Sequence, residues 1–166
     1  HHALASNGRS IISSERESMS QSPDKLKILF LCTGNSCRSQ MAEGWARKLL
    51  PQKVQAWSAG VATHGLNEWA VRVMEEAGVD ISNQESKLVD DLLGIDFDYV
   101  ITVCHHARDS CPVFPGQAVM IHRSFDDPPH LAKSARTDQE ILAIYRRVRD
   151  EIRVFVVNLP DYLENL

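Results

Sequence analysis

Residues 26–39 read LKILFLCTGNSCRS: an apolar run that stops at a cysteine, then a short polar loop. Behind that loop Met41, Ala42, Trp45, Ala46 and Leu49 recur at helical spacing until Pro51 forbids continuation. The unit is strand, loop, helix, and the alternation repeats along the chain. Compact apolar runs at Leu26 to Leu31, Val54 to Trp57, Tyr99 to Val103 and Ala118 to Ile121 predict four strands, of the kind found where both sheet faces are covered. Asn67 is placed to cap a second helix through Ala70, Val73, Met74 and Ala77, with Gly78 as its stop. A shorter helix is expected around Leu88 to Leu93. The last and longest opens on Thr137 and Glu140, spaced as a capping box, and carries Ile141, Ile144, Tyr145, Val148, Ile152, Phe155 and Val156 on one face. This order predicts an α/β fold: one domain, a four-stranded parallel sheet, helices on both faces and right-handed crossovers. Trp45, Trp57 and Trp69 read as core or half-core residues.

The first eighteen residues, HHALASNGRSIISSERES, contain a histidine fragment and no hydrophobic periodicity, and are expected to be an expression tag. The domain is then expected over residues 19–166, which is 148 of the 166 residues and enough for one real core. Removing residues 1–18 leaves the net charge at −4, since Arg9 and Arg16 cancel Glu15 and Glu17. That balance argues against a polyanionic nucleic acid as partner. No stretch approaches the ~20 consecutive apolar residues of a membrane helix. The expectation is a soluble cytoplasmic protein with four cysteines, and thiols in such a chain are more often catalytic or metal-bound than paired in structural disulfides.

The segment Cys32 to Ser39, placed between the first strand and the first helix, carries the chemistry. Ligands of open α/β sheets bind beyond the carboxyl ends of strands. Gly34 permits close backbone approach, and a loop here can turn several amide N–H groups inward as an anion nest at a helix N-terminus. Arg38 adds a planar fork suited to two oxyanion oxygens. The same dipoles and Arg38 are expected to lower the Cys32 thiol pKa and make it a nucleophile at neutral pH. The candidate binding residues are Thr33, Gly34, Asn35, Ser36, Cys37, Arg38 and Ser39, for a tetrahedral oxyanion. Cys37 itself reads as a structural thiol, and Asn35 and Ser39 as residues that hydrogen-bond within the loop.

The run CTGNSCRSQMAEGW at 32–45 resembles the signature of the thioredoxin-coupled arsenate reductases, a branch of the low-molecular-weight tyrosine phosphatase fold. The resemblance extends from Lys27 to the final helix through WSAGVATHG (57–65), VDISNQESK (79–87), VITVCHHARDSCP (100–112) and FDDPP (125–129). It implies that the first and third strands are neighbours, so that Cys104, at the end of the third, could approach Cys32 if the intervening segment moves. Cys104 would be the resolving thiol and Cys111 the one that carries the disulfide outward. A zinc site from Cys104, His105, His106 and Cys111 is disfavoured, because adjacent histidines do not readily face one tetrahedral metal and the paired short spacings are missing. No metal site is expected. Asp127, immediately before proline, resembles the general acid that protonates a leaving oxygen, with Asp126 the lesser candidate. His122 and His130 read as surface or hydrogen-bonded residues.

The resemblance implies arsenate as substrate, phosphate and sulfate as competing oxyanions, thioredoxin as reductant and no bound cofactor. Rival readings are a low-molecular-weight phosphatase, to which Cys104 and Cys111 would be expendable, and a noncatalytic redox or oxyanion sensor. Some members hold a potassium ion beside the loop, on positions that match Asn35, Glu43 and Ser58. Glu85 and Lys87 stand here where those members carry threonine and aspartate. Because of Lys87 potassium is not expected; an ammonium of the same charge would take its place, in contact with Glu43 and Glu85.

Overall fold

The computed structural model describes residues 25–105 and 116–166; the expected tag at 1–18 and Cys111 lie outside them. Strands β1 (Leu26–Cys32), β2 (Val54–Gly60), β3 (Tyr99–Thr102) and β4 (Val119–His122) form one parallel sheet in the order β2-β1-β3-β4. The four predicted strands are these four, in the predicted parallel sense. Ile28, Leu29, Phe30 and Leu31 are all fully buried. Successive side chains of a strand point to opposite faces, so both faces of the sheet are covered at β1.

Helix α1 (Arg38–Leu49) buries Met41, Ala42, Trp45 and Ala46, and Trp45 Nε1 donates to the Arg149 carbonyl at 3.1 Å. Helix α2 (Glu68–Glu76) is capped as its sequence predicts: Asn67 accepts from the Ala70 N–H at 2.9 Å, and Gly78 follows at φ +84°, a conformation glycine adopts without steric cost. β2 runs three residues beyond its apolar stretch, because Ser58 is buried with a polar partner and the small Ala59 and Gly60 pair with Leu31 and Cys32.

Three expectations need correction. The segment 88–93 forms only a 3-10 turn at Val89–Leu92, since a single residue of it, Val89, is buried and Gly94 follows. The capping box of α4 (Asp138–Val157) is half formed: Thr137 accepts from the Glu140 N–H at 3.2 Å, but Glu140 reaches back to the N–H of Arg136, at 3.3 Å. The longest helix is also not the last, because Pro160 cannot extend the hydrogen-bond ladder and the chain turns into α5 (Leu159–Glu164). A further short helix, α3 (Pro128–Ala132), starts on Pro128. The buried face of α4 consists of Leu142, Tyr145, Val148, Ile152 and Val156, with Ile141 and Phe155 half-buried beside it.

The sheet register positions the chemistry. Cys32 pairs with Gly60 and Leu31 with Thr102, and the Val103 N–H donates to the Leu31 carbonyl at 2.9 Å, so β1 and β3 deliver Cys32 and Cys104 side by side. Gly60 supports this edge from below: a Cβ there would meet the Asn35 nitrogen and the Thr33 oxygen, each at 2.7 Å. Those atoms are backbone and cannot swing aside. Gly60→Ala is therefore expected to cost about 1–3 kcal/mol, the range for overpacking. Gly94→Ala, where a Cβ meets nothing within 4 Å, is the control. Equal urea midpoints for the two variants would show that the loop does not rest on Gly60.

Candidate active site

The loop between β1 and α1 is held from behind by its carbonyls. Thr33 O accepts from the Ala62 N–H (2.9 Å), Gly34 O from the His64 N–H (3.0 Å) and the Ser86 hydroxyl (3.1 Å), and Asn35 O from the Gln40 amide (2.9 Å). Ser36 O accepts from the Asn67 N–H and Cys37 O from the Met41 N–H, both at 2.9 Å. The peptide bonds of the loop are trans, so each following N–H points opposite to its anchored carbonyl. The N–H groups of residues 34–38 have no partner among the described residues. Five donors thus face away from the anchors, at a helix N-terminus beside Cys32, which is the arrangement of an anion nest.

Asn35 makes the turn. Its φ of +48° is left-handed, a region asparagine tolerates better than most residues. Its side chain locks the turn on both sides, donating to Ser39 Oγ (2.9 Å) and accepting from the Lys87 N–H (2.7 Å). Gly34 has a further reason to be glycine: a Cβ there would fall on the His64 ring. Cys37 caps α1 and is buried, and desolvation pushes its thiol up to about 12.

Arg38 donates through one terminal nitrogen to the Phe125 carbonyl (2.8 Å), and its other lies 3.6 Å from Asp127. Its Nε is buried with no hydrogen-bond partner among the described residues, an orphan donor of the kind that a bound oxyanion satisfies. Asp127 caps α3 and is half-exposed, whereas Asp126 is bound on the surface by Arg147 at 3.0 Å. A cleft of about 380 Å³ runs between them, lined by Arg38, Cys104, Asp127, His105 and His130 among others. His130, read from sequence as a surface histidine, is exposed and lines the cleft. His122 is instead held by the Thr102 hydroxyl at 2.7 Å. Among the described residues no group of three or more His, Cys, Asp or Glu is placed to hold a metal ion, and no helix is long and apolar enough to cross a membrane.

Cys32 and Cys37 are free thiols. Cys104 is buried, with its sulfur 3.2 Å from the Thr33 hydroxyl, and its thiol acts on that of Cys32 beside it. This overturns the expected lowering of the Cys32 pKa. The Cys104 contact and then burial hold the Cys32 thiol well above its ordinary range, and the Arg38 guanidinium and the Thr33 N–H oppose them without prevailing. The loop dipoles and Arg38 were legible in sequence; the second thiol in contact and the depth of burial were not.

Asn35, Glu43 and Ser58, the positions at which potassium was not expected, are engaged with one another or with Lys87. The Lys87 ammonium already stands among them, 2.8 Å from the Glu85 carbonyl and 3.9 Å from Glu43 Oε1, and the Asn35 side-chain oxygen is taken by the Lys87 N–H. Sequence reading missed several residues of this support: Gly60, His64, and the buried Gln40, whose amide bridges Asn35 O and Glu85 O at 2.9 Å each. A polar Gln40 beside Met41 and Ala42 at the buried start of a helix was the available signal.

Removing the Cys104 thiol tests the electrostatics. With the largest upward influence gone, Cys104→Ala should move the pH midpoint of Cys32 alkylation downward, read at Cys32 by peptide mapping. An unchanged or higher midpoint would mean that the thiol contact does not govern Cys32.

The sequence matches the low molecular weight phosphotyrosine protein phosphatase family over residues 27–165. It is 51% identical over 129 residues to an arsenate reductase of Halalkalibacterium halodurans, covering 78% of this chain and 91% of that one. It is 50% identical over 125 residues to an arsenate reductase of Bacillus subtilis, covering 75% and 88%. Among solved structures, an arsenate reductase in its phosphate-binding state superposes with a TM-score of 0.65 at 32% identity, over 81% of this chain and 95% of that one. With its four-stranded parallel sheet and its Cys32–Arg38 loop, the chain belongs to the low molecular weight phosphotyrosine protein phosphatase family.

Proposed function

We propose that this protein is a cytoplasmic arsenate reductase that reduces arsenate to arsenite with Cys32 as nucleophile. The observation that carries the reading is the second buried thiol, Cys104, which the β1–β3 register sets beside Cys32 with its sulfur 3.2 Å from the Thr33 hydroxyl of the anion loop. A phosphatase hydrolyses its phosphocysteine with water and has no use for that contact. The arsenate reductases with about half their residues identical to this chain support the same choice.

Arsenate binds on the N–H groups of residues 34–38 and on Arg38, with the loop residues Thr33 to Ser39 shaping the site. Cys32 rests as a thiol, and the bound dianion is the base nearest to it. Once the proton has passed to the oxyanion, the Cys32 thiolate attacks arsenic and a hydroxyl departs as water with a proton from Asp127. Cys104 gives its thiol proton to an oxygen of the arsenic adduct, and its thiolate then attacks the Cys32 sulfur. The sulfur–arsenic bond breaks with its electron pair on arsenic, arsenite leaves, and a Cys32–Cys104 disulfide remains. Cys111 attacks Cys104 in turn, freeing Cys32 and forming Cys104–Cys111, which a thioredoxin dithiol reduces with two electrons. The chemistry needs no bound cofactor, and phosphate and sulfate compete for the same donors.

The order of thiols is separable by substitution. Cys111→Ser should release about one arsenite per enzyme and accumulate Cys32–Cys104, as expected when only the outward exchange is blocked. Cys32→Ser should release none. Peptide mapping after a single turnover reads both, and repeated turnover of Cys111→Ser with thioredoxin would sink the relay.

Because the loop accepts any tetrahedral oxyanion, a weak hydrolysis of a small aryl phosphate is expected to survive Cys104→Ser and to vanish in Cys32→Ser. Phosphatase turnover that persists without Cys32 would place the nucleophile elsewhere.

A further inference from the structure

Glu43 is a carboxylate with 1% of its surface exposed, and a charge at that depth is stable only when it is paired and hydrogen-bonded. Its Oε2 faces Arg47, 2.7 Å away on the solvent side. Its Oε1 turns inward, where Ser58 Oγ donates at 2.5 Å and the Lys87 ammonium stands at 3.9 Å. Lys87 is engaged in three directions at once. Its ammonium donates to the Glu85 carbonyl (2.8 Å), its N–H to the Asn35 side chain (2.7 Å), and its carbonyl accepts from the Gly60 N–H (2.8 Å). Those last two contacts are the ones that hold the left-handed turn of the anion loop and the strand end beneath it.

We propose that Lys87 is a positioning residue whose ammonium, set between Glu43 and the Glu85 carbonyl, serves as a built-in monovalent cation that fixes the Asn35 turn of the anion loop and makes the site independent of an added metal ion. A single positive charge at this point neutralises the inner oxygen of Glu43 and keeps residues 85–87 against α1. The Lys87 N–H is thereby held where Asn35 needs it. The charge is covalently attached, so no ion concentration is needed to keep the loop formed.

The test measures melting temperature and the affinity for inorganic sulfate in potassium, sodium and tetramethylammonium chloride at constant ionic strength. Neither readout involves arsenate. The unmutated protein should give the same values in all three salts. Lys87→Ala should melt lower and bind sulfate roughly five-fold more weakly, a coupling of the size found between touching residues. Potassium in particular should return part of both losses. Lys87→Met, which keeps the aliphatic stem and loses the charge, should behave alike and guards against a packing defect in the alanine protein. A potassium-specific rise in melting temperature in the unmutated protein overturns the proposal. So does a Lys87→Met protein that matches the parent in both readouts, or one whose losses are the same in every salt.

Discussion

The carbonyl groups of residues 33–37 are all held by donors outside the loop, and the rest of the site depends on that anchoring. A peptide unit fixes its N–H opposite its C=O, so holding five carbonyls from behind aims five N–H groups forward without any side chain having to do it. The donors come from widely separated parts of the chain: Ala62 and His64 after β2, Asn67 before α2, Ser86, and Gln40 and Met41 of α1. Preorganised donors of this kind need no rearrangement when an oxyanion arrives, which is why they stabilise developing charge better than water does.

A site of this design needs a polar interior where most folds place hydrocarbon. Asn35, Ser39, Gln40, Glu43 and Ser58 are essentially fully buried, next to a core of Ile28, Leu29, Phe30 and Leu31. Each of these polar groups has partners, and the partners are chiefly one another, residues 84–87 and the loop backbone. A polar network that is satisfied throughout specifies one geometry, since any displaced member leaves a neighbour unpaired in a low dielectric. Asn67 extends the same logic to α4: while capping α2 it donates to the buried Tyr145 hydroxyl at 3.1 Å, tying the loop to the longest helix.

The contact between Cys32 and Cys104 has two consequences that pull in opposite directions. It keeps the nucleophile protonated at rest, and it stations the second nucleophile where the first must later be attacked. Burial favours Cys32 as a thiol, which protects it from adventitious oxidation, because the thiolate is the form that oxidants take. An oxyanion beside Cys32 changes the balance by offering a base and bringing the reacting atom to the sulfur.

Much of this was legible in the order of residues. An apolar run, CTGNSCRS and a helical repeat determine strand, loop and helix within 24 residues, Leu26 to Leu49, because each of those signals is local. The Asn67 cap and the Gly78 stop are equally local, as is Arg38 six positions after Cys32. What the tertiary structure decided are distances between residues remote in the chain. Thr33 meets Cys104 across 71 positions and Asn35 meets Lys87 across 52, and no periodicity reports either. The direction of the Cys32 shift belongs to the same class: a pKa follows burial and neighbouring charge, both of which are properties of the finished packing. His64 over Gly34, Gly60 under the loop and His130 in the cleft were likewise invisible, since a residue's type states what it can do and only the fold states what stands next to it.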